Sequence, residues 1–123
     1  MIRILQLEDD PDILEICEMA LGMEEDLVLL QCTSGDEAIA KAQEFKPDLL
    51  LLDVMLPNMS GTVALEQLRK LSGLETVPAV FFTARLQNGE VSALLARGAS
   101  KVISKPFDPL SLGQEIIEVV NRR

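Results

Sequence analysis

Four leucines in a row, Leu49 to Leu52, constrain this chain more than any other feature. In a strand, successive side chains face opposite sides, so this segment is apolar on both. Such a strand must be covered on both faces, as in a parallel sheet flanked by helices. Pro47 before it and the Pro57-Asn58-Met59-Ser60-Gly61 loop after it keep the run to strand length.

The rest of the chain alternates around that strand. Ile2–Leu7 is a short apolar run and predicts a first strand. Asp10-Pro11 offers a helix N-cap followed by proline at the first helical position. Ile13, Ile16, Cys17, Ala20 and Leu21 recur at helical spacing and predict a core stripe that Gly22 ends. Leu27–Cys32 reads as the second strand. Ser34-Gly35-Asp36-Glu37 is a capping box, opening a helix through Ala38, Ala42 and Phe45. Val63–Leu71 reads as a helix ending near Gly73, and Pro78–Thr83 as the fourth strand. Val91, Leu94 and Leu95 mark a short helix closed by Gly98, and Lys101–Ser104 is the fifth strand. Asp108-Pro109 caps a last helix carrying Leu110, Leu112, Ile116, Ile117 and Val120.

Five βα units predict an α/β fold, a (βα)5 doubly wound parallel sheet with helices on both faces. The flavodoxin-like strand order 2-1-3-4-5 is the arrangement expected. The 123 residues suit one domain, 1–123. They are too few for the closed eight-unit barrel, which needs about 250.

Composition removes several function classes. There is no histidine, which excludes serine and cysteine triads, histidine-ligated zinc and a histidine general base. The net charge is −9, and there are four Phe with no Trp or Tyr. Neither the clustered bases nor the stacking rings of a nucleic-acid surface are supplied. Cys17 and Cys32 are too few for a disulfide framework and predict two buried apolar side chains in a reducing compartment. The first residues run straight into Glu8-Asp9-Asp10, unlike a signal peptide, and the longest apolar runs, such as Leu49–Leu52, are four residues. A cytoplasmic protein is the expectation.

The charge is uneven: fourteen of the twenty acids but only three of the eleven bases fall in residues 1–60. In an open parallel sheet, ligands bind beyond the carboxyl ends of the strands. Glu8, Asp9 and Asp10 stand there after the first strand, Asp53 after the third, Thr83 after the fourth and Lys105 after the fifth. Asp10 is the expected cap of the first helix. Clustered carboxylates repel one another, and a hard dication, Mg²⁺ or Mn²⁺, relieves that repulsion. The EF-hand spacing that would favour Ca²⁺ is missing. A lysine and a hydroxyl beside a dication make an anion site suited to phosphoryl oxygens, and a remaining carboxylate can act as nucleophile.

These residues carry a resemblance. Ile4-Leu5-Gln6-Leu7-Glu8-Asp9-Asp10-Pro11, Leu52-Asp53-Val54-Met55-Leu56-Pro57-Asn58-Met59-Ser60-Gly61, Phe82-Thr83-Ala84 and Lys105-Pro106-Phe107 fall in order along the whole chain. In this order and at these separations the chain resembles the receiver domain of bacterial two-component response regulators. The resemblance implies a phosphoacceptor switch rather than a metabolic enzyme. It makes Asp53 the phosphoacceptor, with Mg²⁺ (or Mn²⁺) bound by Asp9 and Asp53, by Glu8 through water, and by the backbone carbonyl of Met55. Thr83 and Lys105 would each hold a phosphoryl oxygen, and a cis Lys105-Pro106 bond is implied. The phosphoryl donor would be the phosphohistidine of a sensor histidine kinase or a histidine phosphotransfer protein. The reader would be a downstream protein or a covalent output domain, with no direct nucleic-acid or membrane binding by this domain. Kinases of this family dock on the first helix and the loop after the fifth strand, which points to Leu14, Phe107 and Asp108.

Two single residues and one short stretch depart from the family pattern. Val102 stands where an aromatic residue usually couples to the threonine, so the switch pair here is Thr83 and Val102. Arg97-Gly98-Ala99-Ser100-Lys101 lacks the acidic pair of receivers that dimerise through their last two helices. Arg85 lies where family members tune dephosphorylation. Three other functions fit less well. A receiver that acts without phosphorylation, as a protein-interaction module, is opposed by the intact set of acids with Thr83 and Lys105. An aspartate-nucleophile phosphatase wants an acid two residues after Asp53, where Met55 stands. A flavin or nucleotide module wants a glycine-rich loop after the first strand, where Glu8–Asp10 would repel phosphate.

Overall fold

The computed structural model describes residues 1–84 and 88–122. Five strands and five helices alternate: β1 (Ile2–Leu7), α1 (Pro11–Gly22), β2 (Leu27–Cys32), α2 (Gly35–Phe45), β3 (Leu49–Asp53), α3 (Gly61–Arg69), β4 (Ala79–Thr83), α4 (Asn88–Ala96), β5 (Lys101–Ser104) and α5 (Pro109–Asn121). All neighbouring strands pair in parallel, in the order β2-β1-β3-β4-β5. This is the topology expected from the sequence.

The leucine strand divides the core. Leu50 and Leu52 join Leu5, Leu7, Phe81 and the inner faces of α2 and α3 on one side. Leu49 and Leu51 join Ile4, Val80, Phe82 and the inner faces of α1 and α5 on the other. All four leucines are fully buried, as a strand covered on both faces requires.

Helix starts follow their caps. Asp10 accepts from the Asp12 amide at 2.9 Å, and Asp108 from the Leu110 amide at 2.9 Å, each followed by proline. Ser34 accepts from the Glu37 amide at 3.1 Å, while the Glu37 carboxylate reaches back to the Thr33 amide, one residue before the cap itself. The third helix begins at Gly61 and ends at Arg69, two residues earlier at each end than Val63–Leu71. Ser60 is its cap, accepting from the Val63 amide at 3.3 Å. The fourth strand starts at Ala79, since Pro78 has no amide to give the sheet.

One expectation about α1 is corrected. Ile16 is 39% exposed and lies outside the buried stripe of Cys17, Ala20 and Leu21. It flanks that stripe at the solvent edge, where Met19 and Met23 are also exposed. Leu14 is half-buried, and its carbonyl accepts from the Gln31 side chain.

Candidate functional site

The carboxyl ends of β1, β3, β4 and β5 bring the polar residues to one rim. Glu8 follows β1 directly, and its amide continues the sheet by donating to the Cys32 carbonyl at 3.0 Å. Asp53 is the last residue of β3 and Thr83 of β4, while Lys105 follows β5. Glu8, Asp53 and Thr83 are buried, which is unusual for such side chains and marks a site.

Glu8, Asp9 and Asp53 each offer a carboxylate oxygen, and these atoms all lie within 4.8 Å of one another. Two of the three are buried and Asp9 is exposed, so the cluster opens to solvent on one side. An all-oxygen donor set of this kind suits a hard dication such as Mg²⁺. Lys105 Nζ bridges the cluster, 2.8 Å from Glu8 Oε1 and 3.3 Å from Asp53 Oδ1. Asp53 Oδ1 also accepts from the Met55 amide at 3.2 Å, and Glu8 Oε2 from the Asp10 amide at 3.2 Å.

Burial pushes the Glu8 carboxyl above its ordinary range, with Lys105 and the Asp10 amide opposing. Burial also works against the Lys105 ammonium, but Glu8 and then Asp53 outweigh it and hold its pKa above that of ordinary lysine. The lysine is therefore a fixed positive charge at the site.

Glycine is required where α3 meets this rim. The Gly61 amide donates to the Val54 carbonyl at 3.0 Å. A Cβ on Gly61 would run into the Asp53 carbonyl oxygen and press on the Phe81 ring. The Lys105-Pro106 peptide bond is cis.

The remaining sequence-predicted residues fall at different distances from the chemistry. Met55 is beside Asp53 and 63% exposed. Thr83 borders a pocket of about 210 Å³ whose lining includes Val54, Met55, Glu90, Leu94 and Arg97. Val102 pairs in register with Phe81 and packs, partly buried, into the α2–α3 side of the core. Phe107 turns inward and stacks on Phe82, ring centroids 4.8 Å apart and planes 10° from parallel. Asp108 caps α5. Arg85 lies outside the described residues. Gln6, fully buried in β1, was not singled out by the sequence reading; a polar residue inside an apolar strand run was the one signal available.

The comparisons with known proteins agree with this geometry. The chain belongs to the response regulator receiver domain family, which it matches over residues 4–117. It is thus a receiver domain of two-component regulators, a signalling switch of the phosphoacceptor kind. It is 38% identical over 111 residues to the DNA-binding response regulator MtrA of Mycolicibacterium smegmatis, covering 89% of this chain and 46% of that protein. It is 35% identical over 113 residues to the transcriptional regulatory protein YvrH of Bacillus subtilis, covering 92% of this chain and 46% of that one. The chain thus spans about half the length of these curated relatives. The chemotaxis response regulator CheY4 of Vibrio cholerae superposes with a TM-score of 0.88 at 26% identity, covering 97% of this chain and 98% of that one. Among the described residues, no helix is long and apolar enough to cross a membrane.

Proposed function

We propose that residues 1–123 act as one receiver domain in which Asp53 takes a phosphoryl group from the phosphohistidine of a sensor kinase or histidine phosphotransfer protein. The observation that carries this reading is the buried Asp53 carboxylate, with Lys105 Nζ at 3.3 Å and oxygens of Glu8 and Asp9 within 4.8 Å. An Asp53 oxygen attacks phosphorus in line. The O–P bond forms as the N–P bond to the donor imidazole breaks, and the imidazole leaves with the electron pair. Glu8, Asp9, Asp53 and the Met55 carbonyl are the residues to hold Mg²⁺. When bound, that ion neutralises charge on the transferring phosphoryl oxygens. Lys105 supplies the second positive charge from a position fixed before the reaction, so little reorganisation is needed.

The phosphorylated state is read by Thr83 and Lys105. The new phosphoryl oxygens accept from the Thr83 hydroxyl and the Lys105 ammonium; Thr83 ends β4 and Lys105 directly follows β5. Their movement shifts the loops after β4 and β5 and with them the last helices, Val102 standing where the family usually has an aromatic ring. With a net charge of −9, the domain passes its signal to a protein surface or a covalent output region rather than to nucleic acid. Leu14, Phe107 and Asp108 bound the kinase-facing side of the rim, with Ile16 the more exposed apolar contact.

Intact-protein mass after incubation with acetyl phosphate tests the reading. One added phosphoryl group is expected with Mg²⁺, none in EDTA and none in Asp53→Asn. Addition to Asp53→Asn at the wild-type level would remove Asp53 from the role.

A further inference from the structure

Four polar side chains are buried among the described residues. Glu8, Asp53 and Thr83 belong to the acidic rim, and the fourth is Gln6. Gln6 lies two residues before Glu8, on the same face of β1 by strand alternation. Its direct partner across the parallel β1–β2 pair is Gln31. Gln31 Nε2 donates both to Gln6 Oε1, at 2.9 Å, and to the Leu14 carbonyl, at 2.7 Å. The Leu14 amide in turn donates to the Asp10 carbonyl at 3.0 Å, the first turn of α1. A continuous run of hydrogen bonds therefore joins the middle of the sheet to the turn that follows Asp9.

The Leu14 carbonyl fixes how the amides point. A carbonyl only accepts, so it takes the Gln31 NH₂ group. That NH₂ must then meet the oxygen of Gln6, which turns the Gln6 NH₂ the other way. There Gln6 Nε2 is buried without a hydrogen-bond partner. The Cys17 thiol, at most a weak acceptor, is its neighbour on α1, and Glu8 follows Gln6 by two residues. A buried amide group left unpaired is destabilising, whereas an apolar pair of similar shape would be nearly neutral. Folding alone does not favour glutamines here.

We propose that Gln6 and Gln31 are positioning residues for the cation site, holding the first turn of α1 against β1 so that Asp9 and Glu8 keep the spacing a dication needs. This rests on the reading of Glu8, Asp9 and Asp53 as the ligand set. Ligands are commonly tuned by groups one layer behind them, and loss of such a group costs about tenfold or more in metal affinity. Glu8 is placed by β1 and Asp9 by the turn into α1. The Gln6–Gln31–Leu14 run spans those two elements directly behind them.

The test uses the full chain with Gln31→Met and the double variant Gln6→Met, Gln31→Met. Mn²⁺ binding is followed by the loss of the free-ion EPR signal, and stability by urea unfolding in EDTA. Gln31→Met is expected to lower the urea midpoint, because it orphans Gln6 Oε1 and takes from the Leu14 carbonyl the donor it has beyond its helical bond. The double variant is expected to regain most of that midpoint yet bind Mn²⁺ about tenfold more weakly than the wild type. Wild-type Mn²⁺ affinity in the folded double variant would overturn the proposal and leave the cation site standing. Should the double variant not fold, Gln31→Met alone decides in the same way, since it cuts the link to Leu14. A wild-type chain that binds no Mn²⁺ would overturn the ligand set and this inference together.

Discussion

Lys105 Nζ lies 2.8 Å from Glu8 Oε1, closer than the 3.3 Å that separates it from Asp53 Oδ1. The lysine is thus anchored first on the fully buried Glu8 carboxylate and second on that of Asp53. Removing one partner of a buried pair leaves the other charge uncompensated. Lys105→Ala is expected to cost about 3 kcal/mol of unfolding free energy in EDTA, measured in urea. It is also expected to bind Mg²⁺ more tightly, because a repelling positive charge has gone, so saturating Mg²⁺ should recover much of the lost stability. Unchanged stability in EDTA would show that Glu8 does not depend on Lys105.

Gly61 offers a prediction of a different origin, since it has no role in charge. A methyl group there would meet the Asp53 carbonyl oxygen, which is sheet backbone and cannot rotate aside. Gly61→Ala is expected to cost about 3 kcal/mol and to slow phosphorylation from acetyl phosphate, because relief requires moving Asp53 or the start of α3. Gly22→Ala, with nothing within 4 Å of the added Cβ, is the matched control and should leave the phosphorylation rate unchanged.

The strands were the most legible part of the chain. The doubly buried leucine run sets the sheet's position, and β1, β2 and β5 fall where the apolar runs lie because apolar burial places them. Helix ends were less legible. The start of α3 depends on the Ser60 hydroxyl, which the Pro57–Gly61 loop signal hid, and Ile16 sits on the flank of a stripe where periodicity alone does not separate buried from exposed. The acidic rim was legible because its residues follow strands and a parallel sheet gathers strand ends. The Gln6–Gln31 pair was not, since its meaning depends on strand register and on a carbonyl in α1.

The two cysteines supply a test of burial. Both are fully buried, and burial pushes each thiol up to about 11. Reactivity follows the exposed thiolate. Neither Cys17 nor Cys32 should react with Ellman's reagent at pH 8 in the folded protein, and both should react on adding urea. Fast reaction of either under native conditions would show that its strand or helix opens locally.

Glu37 carries the pH dependence that can be assigned most directly. The Thr33 amide first, and Lys41 second, hold its carboxyl below the usual range. The ion pair with Lys41, at 3.0 Å, is a surface one and weak. A carboxyl whose pKa is lower folded than unfolded contributes stability above its unfolded value of 4.5, and that contribution is lost as pH falls through the folded value. Glu37→Gln should therefore cost about 0.5 kcal/mol at pH 7, and the difference from wild type should shrink steadily below pH 4.5. At 1 M salt the Lys41 share should be screened, while the share from the Thr33 amide persists because it is a direct hydrogen bond. Parallel urea titrations across pH read both effects; a deficit that grows towards acid pH would place the carboxyl's stabilising contact elsewhere.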